Sequence, residues 1–378
     1  MTARQVVVAA GLVAALLAGC SGGGEQAGSE QAGGEQATSG TASDALVISH
    51  RGASGYRPEH TAAAYELAVT MGADYLEPDL VMTRDKVLVD RHEPEISQTT
   101  DVASRPELAS LRRTRTIDGK ATTGWFVEDL TLAQLRTLRA KERIPDVRPG
   151  NTAYDGRYPV LTFDEVLDLR DRLARESGRT IGVIPELKHP TYLRSLGFEP
   201  ERALLEALGR HRLTAADAPV WVQSFEPTSL QRLREAGYRG RSVLLVQAGG
   251  APYDLASTGD RRDYADLVST AGLADVKKYA NGVAPEKDLV IPRTGTGALG
   301  RPTDLVTRAH AAGLEVMVWT FRAENTFLPA PERVGTDPDA KGDLAGEVEA
   351  YLRAGVDAVF CDQPDLCVEA RSAVARGG

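Results

Sequence analysis

Basic residues are in the minority in this chain. Its 53 Asp and Glu outnumber 44 Lys and Arg, for a formal net charge of −9. It therefore lacks the cationic excess that neutralising a nucleic-acid backbone calls for. Cysteine is scarcer still, with Cys20, Cys361 and Cys367 the only three in 378 residues. Together with six scattered histidines, these form no zinc-type spacing. Large apolar residues are missing from "SGGGEQAGSEQAGGEQATSGTASD" (21–44). Such a segment cannot bury a core, so 20–44 is expected to be a flexible tether. No second linker of that kind and no internal repeat follows, so 45–378 is expected to be one ordered domain. The remaining composition, 42% hydrophobic and 26% charged, is that of a soluble globular protein.

The chain opens with "MTARQVVVAAGLVAALLAGC". One arginine precedes an apolar run too short to hold in a bilayer, and small residues follow, the pattern of an export signal over 1–19. Leu-Ala-Gly-Cys resembles the bacterial lipoprotein signal, which implies that Cys20 is lipidated and anchors the chain to a membrane outside the cytoplasm. The alternative is an ordinary secretory signal with an incidental cysteine. An oxidising compartment permits Cys361 and Cys367 to pair. The other reading is two small buried apolar residues.

Short β-branched runs recur at 45–50, 75–82, 87–92, 181–188, 220–225, 242–247, 281–285, 315–321 and 356–362. Amphipathic helical patterns are read at 60–70, 131–140, 162–176, 200–210, 226–236, 303–312 and 344–354. Strand and helix in alternation predict a parallel sheet covered by helices, and at this length a (β/α)8 barrel of the TIM type is expected. Nine runs compete for eight places, "NGVAP" (281–285) is weak, and the gap between Met82 and Val87 is too short for a parallel crossover.

Polar residues gather where the runs end: His50 and Arg51, Glu77 and Asp79, His92, Glu186 and Lys188. The C-terminal strand ends of a barrel share one face, where active sites are built. Glu77 with Asp79, and Glu186 with Lys188, are two residues apart, so in extended backbone each pair points to one side. Three converging carboxylates repel one another unless a hard cation joins them, and oxygen-only ligation favours Ca²⁺ or Mg²⁺. Arg51 and Lys188 add the fixed positive charge that suits a phosphate. His50 and His92 supply groups for acid–base work on either side of a phosphorus. His60, His189, His211 and His310 are read as lacking comparable partners.

These residues carry a resemblance to the glycerophosphodiester phosphodiesterase family, above all its exported bacterial members. It runs from "HRGASGYRPEHT" through "GADYLEPDLVMTRDKVLVDRHEP", "PELK", "QSFEP" and "VWTFRAEN" to "GVDAVFCDQPDL". The family implies a TIM-type barrel with a metal held at Glu77, Asp79 and Glu186, Ca²⁺ first and Mg²⁺ second. It implies acid–base histidines at His50 and His92, and Arg51 and Lys188 on the phosphate. It further implies an insertion of about 93–158 after the third strand, roofing the pocket with Trp125 and Tyr154 near the substrate. Glu59 matches an acidic residue near the pocket that orients Arg51 or a histidine. Phe225 and Trp319 match aromatics of the substrate site, with barrel-mouth packing as the alternative. Two positions depart from the family pattern: His60 where Asn is usual, and Glu93 where Asp is usual.

The implied reaction hydrolyses a glycerophosphodiester to an alcohol and sn-glycerol 3-phosphate. One histidine takes a proton from a glycerol hydroxyl while the other protonates the departing alcohol, and water opens a cyclic phosphate. Direct attack by water fits the same residues. Polymeric glycerol phosphate of teichoic acids is an alternative substrate, and a non-catalytic phosphodiester-binding lipoprotein an alternative role. A membrane-dipping phospholipase would need an apolar or aromatic rim, and no candidate loop carries one.

Overall fold

Eight parallel strands close into a ring in the computed structural model, which describes residues 45–377. The expected export signal over 1–19, Cys20 and the tether over 20–44 lie outside the described residues.

The strands are β1 (Leu46–His50), β2 (Tyr75–Glu77), β3 (Asp79–Met82), β4 (Leu88–Asp90), β5 (Arg113–Ile117), β6 (Lys120–Gly124), β7 (Gly182–Val183), β8 (Glu186–Leu187), β9 (Trp221–Ser224), β10 (Arg241–Val246), β11 (Gly282–Pro285), β12 (Glu315–Phe321) and β13 (Ala358–Cys361). Proline, which has no N–H for the ladder, splits two ring strands. Pro78 separates β2 from β3, and Ile184-Pro185 separates β7 from β8. Backbone bonds carry the pairing across both breaks, from Ile184 N to Leu76 O (2.8 Å) and from Glu186 N to Pro78 O (2.9 Å). Counted as whole strands, the ring runs β1, β2–β3, β7–β8, β9, β10, β11, β12, β13 and back to β1, every ring pairing parallel.

The ninth run is β4. It pairs antiparallel with β3, Leu80 opposite Asp90, through a hairpin that a five-residue connection can close. On this side β1 pairs with β2 and not with β3, so the strand leaves β1 at Pro78 and β4 takes the free edge of β3. "NGVAP" is a true ring strand, registered between β10 and β12.

The expected helices form at Ala62–Thr70, Phe163–Ser177, Pro200–Arg210, Pro227–Glu235, Leu305–Ala311 and Leu344–Arg353. The 163–177 helix illustrates the cause: Thr162 and Glu165 make a reciprocal capping box, Phe163, Val166, Leu167 and Leu173 form one buried stripe, and left-handed Gly178 ends it. The helix expected at 131–140 stops at Leu135, because Arg139 and Ala140 are drawn into bridges with Pro159 and Thr100. A helix over Pro364–Gly377 was not anticipated, although Pro364 stands at its first position.

Apolar residues form three layers. Ile48, Ile184, Trp221, Leu245, Met317 and Phe360 fill the ring. A larger cluster packs strands against helices. The insertion, which leaves after β4, has its own core of Ile96, Val102, Leu108, Val127, Leu130 and Leu138, continued onto Val81 and Val89. Cys361 and Cys367 are disulfide-bonded, their Cα atoms 6.6 Å apart, which fastens the end of β13 to the last helix.

Candidate active site

β1 ends in His50, and the next residue, Arg51, takes the left-handed conformation (φ 60°). Gly52 follows at φ 85°, so close to the first helix that a Cβ there would come 2.7 Å from that of Ala64. Only glycine fits, which explains "HRG" as a strand-to-turn device. The turn aims the Arg51 N–H at Glu77 Oε2 (2.8 Å), while Gln223 Nε2 donates to the other Glu77 oxygen (3.0 Å). Asp79 and Glu186 are register partners on β3 and β8. Lys188 Nζ reaches both, at 3.2 Å from Asp79 Oδ1 and 2.8 Å from Glu186 Oε1. One oxygen from each of Glu77, Asp79 and Glu186 lies within 4.8 Å of the others. All three carboxylates are buried.

Burial dominates the charge balance there. It pushes the Glu77 carboxyl well up, with the Asp79 charge adding to it. Burial likewise moves Glu186 up, to about 7, against the pull of Lys188. Asp79 meets the same burial, but Lys188, His92 and His60 outweigh it and hold its carboxyl well below the usual range. Two carboxyls that burial pushes up beside a third held down, an Asp79 Oδ1 that Lys188 approaches at 3.2 Å without making a hydrogen bond, and an all-oxygen donor set fit a hard divalent cation.

The two histidines stand beside this cluster in one cavity, shared with Arg51, Lys188, Phe225 and Trp319. Asp362 Oδ1 lies 2.6 Å from His50 Nδ1. Its other oxygen accepts from Arg148 Nη2 (2.6 Å) and Arg322 Nε (3.0 Å). Glu93 Oε1 lies 2.7 Å from His92 Nδ1. Burial, then Arg51, pushes His50 down to about 4 against Asp362. Burial, then Arg51 and Lys188, also lowers His92. Both imidazoles are therefore neutral at pH 7; the hydrogen bond to Asp362 fixes the His50 tautomer, and the Glu93 carboxylate stands beside His92 Nδ1.

One insertion residue ties the two sides together. Arg143 grips Glu59 through Nε (2.8 Å) and Nη2 (2.6 Å), and Glu93 through Nη1 (2.5 Å) and Nη2 (2.8 Å). Glu59 in turn accepts from Arg51 Nη1 (3.1 Å). Buried Arg91 donates to the carbonyls of Glu59 and His60, stapling the turn after β1 to the one after β4.

Residues 50–366 match the glycerophosphoryl diester phosphodiesterase family. The chain belongs to this family. A glycerophosphodiester phosphodiesterase of Arabidopsis thaliana is 33% identical over 328 residues, 83% of this chain and 82% of the relative. One from Haemophilus influenzae is 28% identical over 383 residues, covering 95% of this chain and 96% of its own. Among solved structures, an Oleispira antarctica phosphodiesterase in complex with sn-glycerol-3-phosphate superposes with a TM-score of 0.58 at 20% identity, over 86% of this chain and 96% of that one. At that identity the likeness speaks for the barrel.

Within this family member, the ten expected residues other than Cys20 converge on one face, with Glu59 behind Arg51. Phe225 and Trp319 meet edge to face (centroids 5.6 Å apart), and both pack on the ring core while also lining the cavity. Trp125 and Tyr154 do not line it. The Trp125 indole donates to Leu108 O inside the insertion's core, and Tyr154 lies under Arg57. The insertion instead contributes Glu142, Arg143, Ile144 and Arg148, which line a cavity of about 190 Å³ on the His50 side.

The four histidines read as unpartnered all have acidic partners. His189 pairs with Asp118, His211 with Asp164 and His310 with Asp357. His60 is fully buried between Asp79 Oδ2 (2.9 Å from Nε2) and Asp90 Oδ1 (2.6 Å from Nδ1). Burial lowers its proton affinity, but the two carboxylates raise it more, to about 9. Where the family usually has Asn, this member thus places a cation behind a candidate metal ligand. Gln223, Arg143 and Asp362 were also not anticipated. Asp362 was legible only as a carboxylate directly after a strand, in "FCDQPDL".

Proposed function

We propose that this chain hydrolyses glycerophosphodiesters to an alcohol and sn-glycerol 3-phosphate with a divalent cation held by Glu77, Asp79 and Glu186, Ca²⁺ before Mg²⁺, as a lipoprotein anchored through Cys20 outside the cytoplasm. The observation that carries the reaction is the pair of neutral histidines in one cavity, each backed by a carboxylate and each opening onto a different neighbouring space, about 190 Å³ beside His50 and about 600 Å³ beside His92.

When bound, the cation supplies electrostatic stabilisation of charge developing on the phosphoryl oxygens. Arg51 and Lys188 bind the phosphodiester anion, and Glu59 keeps the Arg51 guanidinium aimed at it. The anion offsets the two cations that lower the histidines, so an imidazolium becomes affordable at Nε2 during reaction. With the anion bound, one ring carries a proton on both nitrogens and gives the one on Nε2 to the departing oxygen. The other, neutral, takes the attacking hydroxyl's proton on Nε2, so a single positive charge passes from ring to ring, with Asp362 behind His50 Nδ1 and Glu93 beside His92 Nδ1. Phe225 and Trp319 keep water from the flank of the site.

The test is release of glycerol 3-phosphate from glycerophosphocholine with Ca²⁺, with Mg²⁺ and with chelator. Metal-dependent release is expected, abolished in His50→Ala and in His92→Ala with the fold intact. Full activity in either variant would sink the acid–base assignment, and no release with any cation would sink the hydrolase reading. Cys20→Ala should move the protein from the membrane fraction to the soluble one; unchanged partitioning removes the lipid anchor.

A further inference from the structure

Beyond His92 the active-site cavity widens into a groove of about 600 Å³ whose far wall includes Tyr253 and Tyr264. Outside it lies a second space of about 460 Å³, bordered by Glu93, Glu95, Lys120 and Thr122. Asp118 and His189 line both. They face each other at 2.6 Å (Oδ2 to Nδ1), so this hydrogen-bonded pair stands at the boundary between the inner and outer spaces.

The pair joins two rigid supports. Asp118 and Gly119 are the two-residue tip of the β5–β6 hairpin, both left-handed (φ 47° and 78°), the geometry that Asp-Gly gives a tight hairpin. His189 follows Lys188, is left-handed itself (φ 46°), and leads into the helix begun by Pro190. The hairpin tip also reaches the opposite wall, since a Cβ on Gly119 would lie 4.0 Å from the Tyr253 ring. Midway along, the hairpin is held by Arg115 on Asp129, and next to the turn by buried Ile117. It has no partner strand in the ring. Even fully charged pairs as exposed as this one contribute little to stability, so stability alone does not account for its placement.

Resting on the hydrolase reading above, we propose that the Asp118–His189 pair is a latch that limits the length of the leaving alcohol. The glycerol half of the substrate is constant and small, whereas the alcohol varies, so the roomier groove beside His92 takes the alcohol. With the latch closed, a compact alcohol is accommodated in the inner space, and a chain that continues outward meets the hairpin tip. A continuing chain with further phosphates would also face Glu93, Glu95 and Asp118, with Lys120 the one opposing cation on the outer border. The latch therefore selects compact diesters over polymeric glycerol phosphate.

The experiment compares kcat/KM for glycerophosphoethanolamine and for a short glycerol-phosphate oligomer, with full-length protein in detergent. The wild type should favour the compact substrate by about tenfold or more, the scale on which a pocket discriminates by size. In Asp118→Ala/His189→Ala that ratio should fall to within about threefold, whereas Asp118→Asn, which keeps a hydrogen bond across the gap, should retain most of it. Single Asp118→Ala serves if the double variant does not fold. A wild-type ratio near one, or a ratio unmoved by opening the pair, overturns the latch. Wild-type protein that turns over neither substrate overturns the hydrolase reading and the latch with it.

Discussion

Replacing Asp362 with asparagine removes one negative charge from behind His50 and alters almost no volume. The Asp362 carboxylate lies 2.6 Å from His50 Nδ1 and is itself buried, so its contact with an imidazolium formed during turnover is a charge-assisted hydrogen bond in a dry setting. Such bonds contribute about 1.5–3 kcal/mol net. At about 1.4 kcal/mol per tenfold in rate, Asp362→Asn should lower kcat by about 10- to 150-fold. KM should change little, because the proposed phosphate ligands, Arg51 and Lys188, do not touch Asp362. The fold should survive, since Arg148 keeps both of its bonds to Glu324, at 2.7 and 3.2 Å. The assay is initial-rate release of glycerol 3-phosphate, with thermal melting as the control for folding. A folded variant whose kcat stays within about threefold of wild type would refute the positioning role.

Reduction of the Cys361–Cys367 disulfide should lower Tm measurably. Its six-residue separation closes a short loop, worth about 2.3 kcal/mol by chain entropy, and for a domain of this size that is about 3 °C in a calorimetric melt; an unchanged Tm with reductant refutes it. His310 gives a pH-dependent outcome. Its hydrogen bond to Asp357 raises its proton affinity above the ordinary value, against modest burial. The stabilisation is therefore fully present below the unfolded-state pKa and is lost as pH rises through the folded one. His310→Gln should lower Tm more at pH 5.5 than at pH 8.5, and an equal or reversed difference would show the pair to be inert.

The ring strands were legible because a parallel barrel strand is buried on both faces and so reads as a continuous apolar run. The site was legible for a related reason: a charged pair at the end of such a run, like Glu77-Pro78-Asp79, has few structural excuses. Partners contributed by distant loops were not legible. Arg143 and Asp118 sit in an insertion with no strand periodicity, and only folding brings them to Glu59 and His189. His60 was passed over because a histidine in a turn resembles many surface histidines, whereas its burial comes from the hairpin that carries Asp90. Trp125 was misjudged because an aromatic in a roof was expected to face the cavity, but the insertion had a core of its own to fill.

Arg143 belongs to the insertion, yet both carboxylates it clamps lie on barrel loops, one behind Arg51 and one behind His92. The insertion is for that reason not an interchangeable module. Its surface and length are free to drift, but a graft from a relative that failed to deliver a guanidinium to this point would leave Glu59 and Glu93 facing each other across a gap. Such a chimera would misplace Arg51 and His92, the proposed anion ligand and one of the two proposed acid–base imidazoles, in a single stroke, with every barrel residue intact.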